Sequence, residues 1–307
     1  MTSAREMRLR IQGVSNIAQV TRALEAVSAS KVRQAQRAVL ETRPYSDKAW
    51  DVLLHLSRQP ARDFIHPLLT QRESIDQILV VLITGDRGLA GAYNANIVRY
   101  SLEQFKDAPA PVRYIVVGRK GRDMMARRGQ DIQAEFSNLP AAPSFADVSA
   151  IGRLAVDEYL EDHVDQVYLI YTDFVNLLRQ VPTMKKLLPL EIDQVDERVE
   201  TFDQASTGPE PTYIYEPGME QLIDRIVPRL TALQVYQAVM ESLASEHAAR
   251  MVAMRNATEN ANELVFALRL AYNKARQRAI TREILDIVGG AEALVSSTQG
   301  GVRAWKR

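Results

Sequence analysis

Residues 219–287 read MEQLIDRIVPRLTALQVYQAVMESLASEHAARMVAMRNATENANELVFALRLAYNKARQRAITREILDI, without a single glycine. Their apolar residues recur every three or four positions, which is the period of an amphipathic helix. A helix of this length is roughly 100 Å long, and so long a periodic run is typical of a coiled coil. Pro228, near the start, is the one residue that disfavours an unbroken helix. The apolar stripe comprises Leu222, Ile226, Leu230, Leu233, Tyr236, Met240, Leu243, Met254, Ala257, Ala261, Leu264, Leu268 and Ala275.

A second helical run occupies the other end of the chain. Ser3 and Glu6 have the spacing of a capping box, and apolar residues at helical spacing follow from Met7 onward. Pro44 predicts a kink, because it removes one hydrogen bond of the helix and its ring clashes with the preceding turn. The helix is expected to end near Pro60 and to be roughly 80 Å long.

The middle of the chain has a different hydrophobic pattern. Short apolar stretches that read as buried strands alternate with amphipathic stretches that read as helices, and this alternation predicts a parallel α/β sheet. The strands are ILVVLITG (78–85), VRYIVVG (112–118) and QVYLIYTDF (166–174), the helices are 94–105, 120–128 and 144–161, the candidate edge strands are MKKLLPL (184–190) and PTYIYEP (211–217), and 193–211 is a linker.

Geometry then relates the helices to the sheet. A compact middle of this size is roughly 40 Å across, so neither helix fits inside it. One helix enters this domain and the other leaves it, so they are antiparallel, and stripes this long stay out of water only by pairing. We therefore predict an α/β fold: a long antiparallel coiled coil of the N- and C-terminal helices plus a central Rossmann-like α/β domain. The predicted boundaries are 1–60 for the N-terminal coiled-coil helix, 61–215 for the globular domain, 216–295 for the C-terminal coiled-coil helix and 296–307 for a frayed tail.

Composition excludes several classes of protein. Lys plus Arg equals Asp plus Glu at 38 each, which disfavours binding of nucleic acid or membrane by bulk charge. The absence of cysteine excludes disulfide scaffolds, thiol catalysis and Cys-ligated metals, and no two of the four histidines have the spacing of a helical metal pair.

The start of the chain lacks the apolar region of a secretory signal, and the longest apolar run is too short to span a bilayer. We expect a soluble protein.

The charge is unevenly distributed along the chain. Residues 1–43 carry eight basic and three acidic residues, and residues 242–307 carry ten basic and six acidic residues. Because the total is balanced, the middle is acidic. This asymmetry indicates that the two ends meet a partner that the middle does not.

The turn GDRGLAGAYN (85–94) is the main candidate for a ligand site. It lies between a strand and a helix, where phosphate cradles occur. It matches neither G-x-G-x-x-G nor G-x-x-x-x-G-K-[ST], so we interpret it as a tight strand-to-helix turn in which Asp86 and Arg87 form a local ion pair or a docking contact. Asp173 lies at the end of the third strand, where α/β enzymes place catalytic groups. No histidine or second carboxylate has a spacing that supports catalysis there, so we interpret Asp173 as a solvated carboxylate. Two alternatives stay open: an α/β enzyme with a coiled-coil oligomerisation arm, and a nucleic-acid adaptor that acts through residues 5–43.

Several motifs resemble one known family. The pattern I-T-x-E-x-x-[DE]-x-x-x-G-A is matched by Ile280, Thr281, Glu283, Asp286, Gly290 and Ala291. Similar segments are SLASEHAARMVAM (242–254), NATENA (256–261), YNKARQ (272–277), VTRALEAVSASKVRQAQ (20–36), RPY (43–45) and DRGLAGAYNANI (86–97). Together they resemble the gamma subunit of F-type ATP synthases, the central rotating shaft. Ala90 stands where many members have cysteine, and Leu24 and Ala26 replace common methionines.

The resemblance implies a non-catalytic subunit without cofactor or metal, in a bacterial protein complex. Such a subunit couples proton flow through the membrane rotor to ATP synthesis and hydrolysis at the catalytic beta subunits, and it regulates ATPase activity. The implied partners are the alpha and beta subunits, the epsilon subunit and the membrane rotor (c) ring, with no nucleic acid and no direct membrane span. The implied location is peripheral, on the cytoplasmic face of the cell inner membrane.

The resemblance also implies which residues meet the alpha–beta ring. These expected contacts are Lys31, Arg33, Arg250, Arg276, Gln277, Thr281 and Glu283. The residues of the family's turn motif are Asp86, Arg87, Gly88, Gly91 and Asn94.

Overall fold

The computed structural model describes residues 4–57, 67–72, 74–190 and 219–304. The chain divides into two compact units, Met1–Leu24 with Met254–Arg307 and Glu25–Ala253, which we call the helical unit and the α/β unit. The first helix, α1, spans Ala4–Ser57, and the last, α5, spans Met219–Ala304. The candidate strand 211–217 and the linker 193–211 lie outside the described residues.

The α/β unit is built on a five-stranded sheet in the order β3-β2-β1-β4-β5. Its strands are β1 (Ile78–Ile83), β2 (Val112–Val117), β3 (Asp131–Phe136), β4 (Gln166–Phe174) and β5 (Gln180–Leu188). The strands β1 to β4 pair in parallel, and β5 pairs antiparallel with β4. All six residues of β1 are buried, which explains its continuous apolar sequence, because the central strand of a parallel sheet is covered on both faces.

Two edge strands differ from the sequence prediction. The strand β3 is not predicted, because its exposed and half-buried residues alternate and its sequence DIQAEF lacks an apolar run. The strand β5 begins at Gln180, before the predicted start at residue 184. Both lie at an edge of the sheet, where half-polar sequences are tolerated.

Helices cover both faces of the sheet. The helices α2 (Tyr93–Gln104) and α3 (Arg119–Ala126) pack on one face, and α4 (Phe145–Leu160) packs on the other with α5. Residues of β1 alternate between two cores: Val80 contacts the first pair of helices, and Val81 contacts the second. Ser144 caps α4 through a capping box with Asp147, which fixes the start of that helix where the sequence predicts it.

Neither proline interrupts its helix. Pro44 lies inside α1 and Pro228 lies inside α5. The helix α1 is described to Ser57, and the predicted end near Pro60 lies outside the described residues. The helix α5 ends at Ala304, so residues 296–304 are helical, and the fraying of residues 296–307 stays a prediction.

The helical unit contains an antiparallel helix pair. The hydroxyl oxygens of Thr21 and Thr258 are 2.7 Å apart, and Arg8 donates a 3.2 Å hydrogen bond to the Tyr272 hydroxyl. From the first contact to the second, the residue number on α1 rises from 8 to 21 while that on α5 falls from 272 to 258. The two segments therefore run in opposite directions, as predicted. From residue 276 to 292 every side chain of α5 is exposed. Four small residues and one methionine are buried in this unit: Ala18, Thr21, Thr258, Ala261 and Met254.

An arginine ties together loops at the amino end of the sheet. Arg72 donates hydrogen bonds to Asp165 (2.9 Å), to Asp162 (2.6 Å) and to the carbonyl of Tyr159 (2.6 Å). Asp165 also accepts the backbone amides of Asp76 (2.7 Å) and Gln77 (2.9 Å), just before β1. These bonds anchor the segment that precedes the central strand.

We expect Arg72→Ala to lower the free energy of unfolding by about 1–2 kcal/mol, because Asp165 loses its charged partner. Chemical denaturation measures this change. The control is Arg99→Ala, since the 3.9 Å pair of Arg99 with Glu103 is mostly exposed and such pairs contribute less than about 0.5 kcal/mol. Equal effects of the two substitutions would contradict a structural role for Arg72.

Candidate functional site

The helix α5 occupies the crevice at the carboxyl ends of β1 and β4. In open α/β sheets, ligands bind in this crevice, where the strand order reverses. Here the Ser242 hydroxyl accepts the backbone amide of Thr172 at 3.1 Å, and the Ser245 hydroxyl donates to the Thr172 carbonyl at 3.1 Å. The Tyr93 hydroxyl donates to the carbonyl of Ser242 at 3.2 Å. The position in which an α/β enzyme would bind its substrate is therefore filled by the chain's own helix.

The turn after β1 is held by its own side chains. The Asn94 carbonyl oxygen Oδ1 accepts the backbone amide of Gly85 at 2.9 Å. The Asp86 carboxylate accepts the backbone amides of Arg119 (3.0 Å) and Asn138 (2.9 Å). The Asp86 carboxylate thus joins the residues that follow β1, β2 and β3, instead of forming the expected ion pair with Arg87. The alternative, a docking contact, stays a prediction.

The turn has a left-handed backbone at two positions, which are separated by one residue. Gly91 has a φ of +58°, and Leu89 has a φ of 63°, a conformation that glycine adopts at no steric cost. The side chain of Leu89 is 67% exposed. Together with its internal hydrogen bonds, this backbone makes the predicted strand-to-helix turn the correct interpretation of GDRGLAGAYN.

Arg250 links α5 to the turn. Its guanidinium donates to the carbonyl of Gly88 at 3.2 and 3.4 Å and to the Glu246 carboxylate at 2.5 Å. It also lies 3.2 Å from Nδ1 of His247. Only 12% of the Arg250 side chain is exposed. Among the expected ring contacts, Arg250 is therefore largely engaged within the α/β unit.

His247 is a buried, neutral base beside two cations. Burial, then the charges of Arg250 and Lys31, lower the pKa of His247 to about 4. Lys31 on α1, one of the expected ring contacts, is half-buried, and its charge helps to lower the pKa of His247. Arg33, another expected contact, is exposed. Sequence reasoning misses this group of charges, because residues 31 and 247 are adjacent only in the folded chain.

The other expected ring contacts lie in the helical unit. Arg276, Gln277, Thr281 and Glu283 are all exposed on α5, and the Thr281 hydroxyl donates to the carbonyl of Gln277 at 3.0 Å. Sequence reasoning emphasises these polar residues and misses their apolar neighbours, although the spacing of three and four residues could have revealed them. The exposed apolar residues are Ile280, Ile284, Leu285, Ile287 and Val288.

The described residues contain neither a metal cluster nor a helix that could cross a membrane. They contain no group of three or more His, Asp or Glu residues that could hold a metal ion. No helix in that part of the chain has the length and apolar character needed to cross a membrane.

The fold and the filled crevice define an α/β protein with paired terminal helices. A family model described as ATP synthase matches residues 3–294. The chain is 44% identical over 303 residues to the ATP synthase gamma chain of Herpetosiphon aurantiacus, covering 96% of this chain and 99% of the relative. It is 43% identical over 300 residues to the gamma chain of Chloroflexus aurantiacus, covering 96% and 100%. The chain therefore belongs to the ATP synthase gamma-chain family.

Solved structures share this fold. One is the central stalk and c-ring of the Tetrahymena thermophila mitochondrial ATP synthase, with a TM-score of 0.58, 25% identity and coverage of 78% of this chain and 99% of that chain. Another is the OSCP/F1/c-ring assembly of the Euglena gracilis mitochondrial ATP synthase in rotational state 3, with a TM-score of 0.66, 23% identity and coverage of 96% and 95%.

Proposed function

We propose that this chain is the central-stalk rotor subunit of a bacterial F-type ATP synthase. In this role it couples proton flow through the membrane rotor to ATP synthesis and hydrolysis at the beta subunits, and it regulates ATPase activity. The observation that carries the proposal is the similarity to bacterial ATP synthase gamma chains over 96% of this chain. The antiparallel helix pair supports it, because a shaft needs a long element that is stiff and slim.

The proposed mechanism needs no active site in this chain. One asymmetric shaft that faces three equivalent alpha–beta pairs makes them unequal, because each shaft angle stabilises a different conformation of each site. Rotation therefore changes nucleotide affinity at the beta subunits, and the coupling is reciprocal. The filled crevice supports a non-catalytic role, since α5 occupies the place where an α/β enzyme would bind its ligand.

The proposed ring contacts divide between the two units. Arg276, Gln277, Thr281 and Glu283 are exposed on α5 beside apolar side chains, which suits a sliding contact that is remade at each step. Arg33 is also exposed. The half-buried Lys31 and the engaged Arg250 contribute less direct contact area.

The remaining proposed partners are the epsilon subunit and the c-ring, which meet the α/β unit. The proposed location is peripheral, at the cytoplasmic face of the inner membrane. Nucleic acid has no part in this proposal, since the balanced net charge does not favour it.

Reconstitution with alpha and beta subunits tests the proposed function. We expect a complex with one copy of this chain per three alpha–beta pairs, by native mass measurement, and an ATPase rate that differs from that of the ring alone. Failure to assemble, with nucleotide binding by the isolated chain, would instead support the α/β enzyme.

Cross-linking tests the placement of α5. Because the chain has no cysteine, Arg276→Cys creates a unique thiol for a photoactivatable cross-linker. We expect a covalent product with alpha or beta subunits in the reconstituted complex. The matched control is Asp131→Cys, an exposed position at the amino end of β3, which should give none. If residue 276 forms no product under any nucleotide condition, α5 does not enter the ring as proposed.

A further inference from the structure

A carboxylate of α5 lies against the first residues of the turn after β1. A Cβ atom built on Gly85 would stand 2.7 Å from Cδ of Glu246 and 2.9 Å from each of its carboxylate oxygens. Only glycine therefore allows this approach. The Glu246 side chain is 9% exposed and accepts the 2.5 Å hydrogen bond from Arg250.

The position of this carboxylate is that of a ligand's anionic group. Folds of this topology bind such groups between the turn after the first strand and the helix that follows. Here that helix, α2, begins at Tyr93, and its N-cap residue Ala92 supplies no capping side chain. Burial, followed by the charge of Glu246, raises the pKa of Tyr93, the first residue of α2.

The cation beside the carboxylate is itself held in place. Arg250 bonds the carbonyl of Gly88 in the same turn and lies against Nδ1 of His247. Removal of the Glu246 carboxylate would leave a mostly buried guanidinium aimed at a cavity beside Gly85. A guanidinium fixed in this way favours a planar carboxylate, which can accept two of its N–H groups.

We propose that Glu246 is a built-in anionic ligand, which fills the crevice of the α/β unit and fastens α5 to the turn after β1. The space left by the carboxylate in Glu246→Ala, beside Arg250 and Gly85, is then a binding site for a small carboxylate such as formate. The built-in carboxylate keeps external anions out of the crevice in the natural chain. This inference goes beyond the rotor function and does not depend on it.

The first test is chemical rescue of the full-length chain. We expect Glu246→Ala to lower the melting temperature by about 5 °C or more, because it breaks a buried ion pair. Sodium formate should recover at least half of that loss relative to sodium chloride of equal ionic strength. Calorimetric titration should detect formate binding to Glu246→Ala and none to the natural chain.

Two controls make the rescue specific. Glu246→Gln removes the charge but keeps the crevice filled, so formate should not stabilise it. The double variant Glu246→Ala with Arg250→Ala lacks the cation, so formate should not stabilise it either. Equal stabilisation of the natural chain and all variants by formate, or no stabilisation of Glu246→Ala, would overturn the proposal.

A second measurement applies if Glu246→Ala does not fold. Gly85→Ala should lower the melting temperature, because its methyl group would overlap the Glu246 carboxylate. Glu246→Asp shortens the side chain by one methylene and withdraws the carboxylate from Gly85. We expect the double variant to lose clearly less than the sum of the two single losses. Simple additivity would show that the carboxylate is not seated against Gly85.

Discussion

Replacement of Gly152 by alanine is expected to lower the free energy of unfolding by about 2–3 kcal/mol. Gly152 lies in α4, and an added Cβ would stand 2.8 Å from Cα and 3.1 Å from Cβ of Ala232 on α5. Both helices must shift, because backbone atoms cannot rotate away as a flexible side chain can. This cost exceeds the gain of about 1 kcal/mol that alanine usually gives over glycine in a helix.

The chain provides a matched control for this substitution. Gly13 also lies within a helix, α1, but an added Cβ meets nothing within 4 Å. We therefore expect Gly13→Ala to raise stability by about 0.5–1 kcal/mol, the ordinary helix preference. Urea denaturation followed by circular dichroism measures both variants. Stabilisation by Gly152→Ala would show that α4 and α5 do not approach as closely as described.

Acidification is expected to destabilise the α/β unit through His247. The pKa of His247 is about 4 in the folded chain and about 6.5 when unfolded, so below pH 6.5 the unfolded chain binds more protons. The contribution of neutral His247 is complete above pH 6.5 and is lost as the pH falls toward 4. A difference of this size corresponds to roughly 3 kcal/mol at most. Denaturation curves measured between pH 7.5 and 4.5 report it.

Substitution of single histidines tests whether His247 causes this pH dependence. His247→Gln keeps a polar side chain beside Arg250 but cannot titrate, so its stability should fall less steeply below pH 6.5. His163→Gln is the control, because the His163 side chain is 54% exposed, and it should follow the natural chain. An unchanged slope in His247→Gln would assign the acid sensitivity to other groups.

The elements that are predictable from the sequence are those with a strong local pattern. All six residues of β1 and the last four of β2 are buried, which accounts for their apolar sequences. The strands β1, β2 and β4 all lie within two residues of their predicted spans. The pairing follows from helix length, because apolar stripes this long must be covered, and the antiparallel direction follows from one helix entering the α/β domain and the other leaving it. Within the helical unit, the Thr21–Thr258 and Arg8–Tyr272 contacts together confirm the predicted direction.

The missed features depend on contacts between distant parts of the chain. The strand β3 has a half-polar sequence because it lies at an edge, and no local pattern separates it from a loop. The filled crevice joins Thr172 to Ser242 and Gly88 to Arg250, across 70 and 162 residues. The amide partners of Asp86 are missed for the same reason, since Arg119 and Asn138 follow other strands. The expected ring contacts remain predictions, because they require a partner.

The exposed end of α5 has a consequence for the cell that makes this protein. Ile280, Ile284 and Ile287, spaced four and three residues apart on one side of the helix, are each 46–67% exposed, and a newly made copy presents these side chains to the surrounding water. Contiguous apolar surface of this kind promotes aggregation until it is covered. We therefore expect synthesis of this chain to be matched to that of its partners, with any surplus captured by chaperones or degraded.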